Sequence, residues 1–277
     1  PLFDSDFLKK LEYLSLVSRR VVQGQILAQR RTRQTGGGIE FADHRDYVPG
    51  DDFRYLDWNI YARHNELLLK RFQEEEDLHV YVLLDCSRSM ALGQPAKFDL
   101  ARQVAAALAY IALSNRDRAA VVAFADGAVD EFPLTRGKGR ILALLNFLES
   151  LQVTARSTNL RRAASDFIHR RYRRGVVVLI SDLYDPDGFQ EAVDMLRYRT
   201  FEPHVIQLYD HREAEPDVLG DVELVDVETG DARKLTVTEA NVREYRQRYE
   251  AFQKSILEYC RRYGLACTRS TTDVPFD

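Results

Sequence analysis

The chain has 277 residues, of which 45% are hydrophobic, so it is long enough for one large domain or two smaller ones and can build a core. Lys and Arg number 39 against 43 Asp and Glu, and this net charge of -4 argues against nucleic acid as the main partner. The sequence holds no run of about 18 apolar residues and does not open like a signal peptide. We therefore expect a cytoplasmic protein without a membrane segment.

The region before residue 77 predicts a helix followed by a charged block. Residues 7–34 begin with apolar side chains spaced by three or four, which indicates an amphipathic helix, and the glycines at 36–38 indicate a flexible link. Residues 38–63 interleave Asp and Arg with aromatic side chains, which favours a salt-bridged collar with Trp58 packed beneath it over a catalytic or binding surface. Residues 66–75 partly alternate and predict a strand that pairs antiparallel with the strand that follows it.

The stretch at residues 78–90 has the most informative pattern. An apolar, β-branched run ends on Asp85, and Ser87 and Ser89 follow in the pattern D-x-S-x-S. Such a run is typical of a strand buried on both faces of a parallel sheet, and ligands of these sheets bind beyond the carboxyl ends of the strands. A carboxylate and two hydroxyls on one loop are hard oxygen ligands, which suit Mg²⁺ or Mn²⁺ and not zinc.

Strands and helices alternate after residue 77, which predicts an α/β fold: a doubly wound, mostly parallel sheet with helices on both faces. A second β-branched run, at residues 176–180, ends on Ser181 and Asp182. Thr158 stands at or near the start of another predicted helix. The chain therefore sends five oxygen-bearing side chains to one rim of the sheet, namely Asp85, Ser87, Ser89, Thr158 and Asp182. Each alone could be a helix cap, but five of them in three loops favour a metal site.

The motifs D-C-S-R-S, T-N-L and I-S-D resemble the metal-ion-dependent adhesion site (MIDAS) of von Willebrand factor type A domains, over roughly residues 77–277. The preceding motifs G-x-E-F, R-D-Y-x-P-G-D-D and R-x-x-D-W resemble the bacterial family catalogued as domain of unknown function fifty-eight. The resemblance implies two domains. Residues 1–76 would hold the N-terminal helix and the family-specific block, and residues 77–277 the von Willebrand factor type A-like domain.

The same resemblance implies a role for each site residue. Ser87 and Ser89 would bind the metal directly, Thr158 directly or through water, and Asp85 and Asp182 largely through water. The ion would be Mg²⁺, with Mn²⁺ or Ca²⁺ possible, and a partner's Asp or Glu would fill its open position. Because family members tend to be encoded beside MoxR-type AAA ATPases, the implied function is an adaptor or cofactor of such an ATPase in protein remodelling or maturation.

The motif favours a binding protein over an enzyme, since it contains no His, Cys or Lys to act as base or nucleophile. Two alternatives remain open at this stage. One is a Mg²⁺-dependent hydrolase, because a strand-end aspartate with Mg²⁺ is used in aspartyl-phosphate chemistry. The other is a scaffold that works through residues 38–63 and carries a vestigial metal site.

Overall fold

The structure is a computed structural model that describes residues 2–16, 40–73, 78–153, 157–226 and 230–273. Its contacts divide the chain into two compact units, Pro1–Ser15 with Leu78–Asp277 and, separately, Leu16–Asp77. A first helix, α1, covers residues 5–16 and packs into the core of the larger unit, whereas the sequence-based division grouped it with the charged block. The rest of the predicted helix to residue 34 and the link at 36–38 lie outside the described residues.

The smaller unit is organised by a hairpin and one buried carboxylate. Strand β1 (Glu40–Asp46) pairs antiparallel with β2 (Leu68–Gln73), and helix α2 (Trp58–His64) lies between them in sequence. Asp57 accepts the backbone N–H groups of α2 and lies 3.0 Å from His44 Nε2 and 3.4 Å from Lys70 Nζ. The strand predicted at 66–75 therefore exists, but it pairs with β1 and not with the next strand along the chain.

Ion pairs do form within the charged block, but they do not cover the tryptophan. Both guanidinium nitrogens of Arg45 donate to Asp51 at 2.7 Å, and Arg54 pairs with Asp52. Trp58 was expected beneath this layer, yet 59% of it is exposed. Trp58 is the first residue of α2, and the cap residue before it, Asp57, is the one that is buried.

The larger unit alternates strands and helices as the sequence predicts. Its elements follow one another as β3 (His79–Asp85), α3 (Lys97–Ser114), β4 (Arg118–Ala125), β5 (Gly127–Arg136), α4 (Ile141–Ser150), α5 (Leu160–His169), β6 (Val176–Ser181), α6 (Gln190–Tyr198), β7 (Glu202–Tyr209), α7 (His211–Ala214), β8 (Gly220–Val225), β9 (Ala232–Val237), α8 (Glu239–Arg262) and β10 (Cys267–Thr271). Strands β8 and β9 form a separate antiparallel hairpin between α7 and α8. The other strands form the central sheet.

The central sheet has six strands in the order β10-β7-β6-β3-β4-β5. All neighbouring pairs are parallel except β4 and β5, which are antiparallel at one edge. Strands β3 and β6 therefore lie side by side at the centre and point in the same direction. This confirms the predicted α/β fold with a mostly parallel sheet.

Alternate side chains of β3 enter two different cores, as expected for a strand covered on both faces. Val80, Val82 and Leu84 pack with buried residues of α1, α3 and α4 on one face. Tyr81 and Leu83 pack with buried residues of α5, α6 and α8 on the other. Helices thus cover both faces of the sheet. In the described part of the chain, no helix is both long and apolar enough to cross a membrane.

An aromatic cluster closes the second core near the amino end of β3. The ring of Tyr81 stacks on Tyr172 at 4.8 Å and meets the edges of Phe167 and Phe201 at 5.2 and 5.9 Å. The Tyr81 hydroxyl donates to the carbonyl oxygen of Arg173 at 3.0 Å, so this largely buried phenol is also satisfied. Aromatic pairs in such geometries each add about 0.5–1.5 kcal/mol beyond the burial of their area.

One prediction concerns the close approach of β6 to β3. A Cβ on Gly175 would lie 2.3 Å from the carbonyl oxygen of His79, which is backbone and cannot rotate away. We expect Gly175→Ala to lower the free energy of unfolding by about 1–3 kcal/mol, as other overpacked sites do. Chemical denaturation measures it.

The matched control is Gly139→Ala, since no atom lies within 4 Å of a Cβ at that position. Its unfolding free energy should stay the same or rise by up to about 1 kcal/mol. Equal effects of the two substitutions would contradict the predicted contact between β6 and β3.

Candidate metal centre

The candidate site lies at the carboxyl ends of the two central strands. Asp85 is the last residue of β3, and Asp182 directly follows β6. Because Leu84 pairs with Ile180 in the parallel ladder, the two strand ends lie at the same level of the sheet. Both aspartates are completely buried. The two predicted carboxylates are therefore brought to one rim.

Both carboxylate oxygens of Asp85 are already hydrogen-bonded. Oδ1 accepts the backbone N–H of Ser87 at 2.8 Å, and Oδ2 accepts the Ser181 hydroxyl at 2.5 Å. Ser181 Oγ in turn accepts the backbone N–H of Leu183 at 2.9 Å. Burial raises the pKa of Asp85, and the negative charge of Asp182 raises it further. The environment of this carboxylate therefore favours a nearby cation.

The two serines place their hydroxyls side by side. Ser87 precedes a single 3-10 turn, Arg88–Ala91, which curls Ser89 back toward it. The two Oγ atoms are 3.1 Å apart, and both residues are buried. Two neighbouring ligands of an octahedral Mg²⁺, with bonds of 2.0–2.1 Å, are about 2.9 Å apart. The observed separation therefore fits two adjacent positions on one ion.

Thr158 is held in the loop before α5 and is 4% exposed. The next residue, Asn159, is the cap of α5: its side chain accepts the Arg162 N–H, and its own N–H donates to the Ala125 carbonyl at the end of β4. Asp185 Oδ2 accepts the Leu160 N–H at 2.7 Å. The Thr158 loop is thus tied both to β4 and to the loop after Asp182.

The sequence analysis missed a buried lysine at this rim. Lys97 Nζ lies 2.8 Å from Asp182 Oδ2 and forms a second ion pair with Glu213 of α7. Its side chain is completely buried, and the ammonium lies 5.0 Å from the centre of the Tyr184 ring. Burial alone would lower the pKa of Lys97, but the negative charges of Asp182 and Glu213 outweigh it and raise the pKa.

One signal in the sequence could have identified Lys97. It is the first residue of α3, where the partial positive charge of the helix terminus disfavours a cation. A lysine at that position is more favourable when an acidic side chain lies nearby, which is the one local hint of its partners. This signal does not identify Glu213 as a partner, because Glu213 is 116 positions away from Lys97 in the sequence.

The donor set of the rim fits a hard divalent cation. It consists of the hydroxyls of Ser87, Ser89 and Thr158 and the carboxylates of Asp85 and Asp182. Within the described ranges, no three His, Cys, Asp or Glu side chains come together in a way that could hold a metal ion. Any metal at this rim would therefore depend on the hydroxyls, and oxygen donors of this kind suit Mg²⁺ or Mn²⁺ better than zinc.

Comparison with solved structures gives several likenesses, and the following two have low scores. The conserved hypothetical protein BatB from Bacteroides thetaiotaomicron has a TM-score of 0.44 at 17% identity, over 70% of this chain and 90% of that one. Proximal thread matrix protein 1 from the mussel byssus, in a structure with a zinc-occupied MIDAS motif, has a TM-score of 0.40 at 16% identity, over 48% of this chain and 36% of that one.

Comparison of sequences gives a family. Uncharacterized proteins of Mycobacterium bovis and Mycobacterium tuberculosis are each 25% identical over 274 residues, which cover 98% of this chain and 86% of theirs. The family described as "Protein of unknown function DUF58" matches residues 43–255, a range that includes most of the charged block and all five candidate site residues. The chain belongs to the DUF58 family.

Proposed function

We propose that the protein is a metal-dependent protein-binding module with a MIDAS-like site. Ser87 and Ser89 would bind Mg²⁺ directly, and Thr158 would bind it directly or through water. Asp85 and Asp182 would bind the ion largely through water. When bound, the ion supplies an electrophilic position that a partner's carboxylate fills. The observation that carries the proposal is the pair of buried serine hydroxyls 3.1 Å apart beside a buried carboxylate.

The hydrogen bonds of the two aspartates support this division of roles. Asp85 already accepts from Ser87 N–H and Ser181 Oγ, and Asp182 accepts from Lys97 and from the Tyr184 N–H at 3.2 Å. Carboxylates held in this way orient and polarise ligands more readily than they displace water from an ion. With neutral hydroxyls as the direct ligands, the ion would keep enough positive charge to attract a partner's Asp or Glu.

We propose a MoxR-type AAA ATPase, or its client, as the partner. The support is the family itself, because its members tend to be encoded beside such ATPases. The module would then act as an adaptor in protein remodelling or maturation. Because an ATPase of this kind needs ATP, we propose that the complex forms in the cytoplasm.

A binding role fits the rim better than catalysis. Lys97 is the one basic side chain that the described structure brings to Asp182, and it is held by two carboxylates. Cys86 is 1% exposed and packs into the core that α1, α3 and α4 cover. Neither group is available as a base or nucleophile for a substrate. We therefore propose that the protein is not an enzyme.

Metal binding should raise stability through Ser87. At 100 times the dissociation constant, an ion that binds only the folded state adds about 2.7 kcal/mol. We expect Mg²⁺ to raise the denaturation midpoint of the unmodified protein relative to EDTA, and Ser87→Ala to remove most of that rise because it removes one ligand. Parallel titrations with Mn²⁺ and Ca²⁺ rank the ions.

The control for this experiment is Ser255→Ala, since Ser255 is an exposed serine on α8 whose hydroxyl bonds only its own helix. It should keep the full effect of Mg²⁺. If the unmodified protein unfolds at the same midpoint with Mg²⁺ and with EDTA, the site is vestigial and the proposal fails.

Partner binding should need both the ion and its ligands. Purified MoxR-type ATPase should bind the immobilised protein with Mg²⁺ and should be released by EDTA. Ser87→Ala should weaken the binding by roughly 100-fold, since even outer partners of a metal site cost 10–100-fold. Binding that is indifferent to EDTA and to Ser87→Ala would move the interaction to another surface, such as residues 38–63. Hydrolysis of a generic phosphate ester that requires Mg²⁺ and Ser87 would instead favour the hydrolase alternative.

The buried lysine should be needed for stability. Lys97→Met leaves Asp182 and Glu213 without their shared cation, and removal of one partner of a buried pair typically costs about 3–5 kcal/mol. Chemical denaturation in EDTA should show a loss of this size. Lys254→Met, which removes an exposed lysine paired with Glu258 on α8, should change stability by no more than about 0.5 kcal/mol. Similar small losses for both would show that the buried ion pairs add no net stability.

A further inference from the structure

A second polar site lies on the face of the sheet that α8 covers. It is a cavity of about 260 Å³, lined by residues of α8, of β10 and of the segment at the end of α7. Pockets for drug-sized ligands usually measure about 300–1,000 Å³, so this cavity suits a smaller molecule. The metal-site residues do not line it.

One buried amide lines this cavity, and a second lies on the neighbouring strand. Gln253 of α8 lines it and is 6% exposed, yet neither its Oε1 nor its Nε2 has a hydrogen-bond partner in the described chain. Gln207 of β7 is completely buried, and both polar atoms of its side chain also lack a partner there. Gln207 pairs in the sheet with Arg269 of β10, which lines the cavity.

Unpartnered amides of this kind are costly. A buried amide without a hydrogen bond destabilises the folded state, and native proteins rarely keep one without a water or ligand that satisfies it. An amide side chain can donate and accept at once. Gln253 therefore fits a ligand that offers both kinds of polar group.

Charged side chains of both signs line the cavity together with the amide, and all four of them are exposed. Arg246 and Arg269 line the cavity together with Glu215 and Glu250, and none of the four forms an ion pair within the described chain. Arg269 is held in place by its guanidinium, which stacks over the Tyr209 ring at 4.6 Å. The cavity thus presents two cations and two anions that have not neutralised one another.

We propose that this cavity binds a small zwitterion that carries a carboxylate and an ammonium, the chemistry of a free α-amino acid. The arginines receive the carboxylate, because a guanidinium matches its two oxygens. Glu215 and Glu250 receive the ammonium, and the Gln253 amide bonds whichever polar group lies nearest. A ligand with a single charge would contact only one pair of these side chains and bind more weakly.

The test is a calorimetric titration of the whole protein in EDTA, so that it does not depend on the metal site. The probes are glycine, L-alanine and L-glutamine, with acetate and methylammonium as ligands of one charge. We expect at least one amino acid to bind at least tenfold more tightly than either singly charged probe. No binding of any amino acid, or equal binding of acetate, would overturn the proposal.

Two variants locate the site. Arg246→Gln changes an exposed residue of α8 that should not affect folding, and it should weaken amino-acid binding at least tenfold. Gln253→Leu should abolish binding and also raise the melting temperature of the unliganded protein, since an apolar group of similar size removes the unsatisfied amide. Gln247→Leu, at an exposed position of the same helix, should do neither. Binding that survives both Arg246→Gln and Gln253→Leu would overturn the proposal.

Discussion

The ion pair between Lys97 and Asp182 is the interaction on which the candidate site depends. Two carboxylates, Asp85 and Asp182, are buried at the ends of adjacent parallel strands, where their mutual repulsion and loss of hydration oppose folding. Lys97 compensates one of them from the first turn of α3, and its second partner, Glu213, draws α7 to the same place. One ammonium thus connects β6, α3 and α7 at the rim of the sheet.

The loops around the rim are held in place by hydrogen bonds within the protein. Ser181 Oγ connects Asp85 to the loop that begins at Leu183, and Asp185 accepts the N–H of Leu160, the first residue of the helix that follows Thr158. These bonds use backbone groups and side chains that would otherwise need ordering when a ligand binds. Groups already held in their bound geometry lose little conformational entropy on binding, which favours affinity.

The strands and helices of the larger unit could be predicted from the sequence because each has a strong local signal. The apolar run before Asp85 became β3, and the second β-branched run, at residues 176–180, lies within β6. Pairing was harder: residues 66–75 showed the alternation of a strand, but alternation does not identify the partner, and β2 pairs with β1. The burial of Trp58 was predicted wrongly, because hydrophobicity alone does not show whether a cap residue or the residue after it faces solvent.

The candidate site was predictable in part, because its two aspartates follow strands that have strong local signals. Parallel strands end at one rim, so Asp85 and Asp182 could be placed together from their positions after two apolar runs. The ion pairs that compensate the charge of Asp182 could not be predicted, since Lys97 and Glu213 meet only through the tertiary fold. Ser181 was noted as a neighbour of Asp182, but its bond to Asp85 depends on the register of β3 and β6.

The aromatic cluster around Tyr81 stabilises the sheet at a distance from the rim, where the candidate metal site lies. Tyr81 lies four residues before Asp85 on the same strand, a distance of about 13 Å. Substitutions at the rim therefore leave the rings of Tyr172, Phe167 and Phe201 in contact with Tyr81. Over evolutionary time, a lineage could lose or exchange the oxygen ligands one by one and still inherit the same fold, so divergence among relatives should concentrate at the carboxyl ends of the strands.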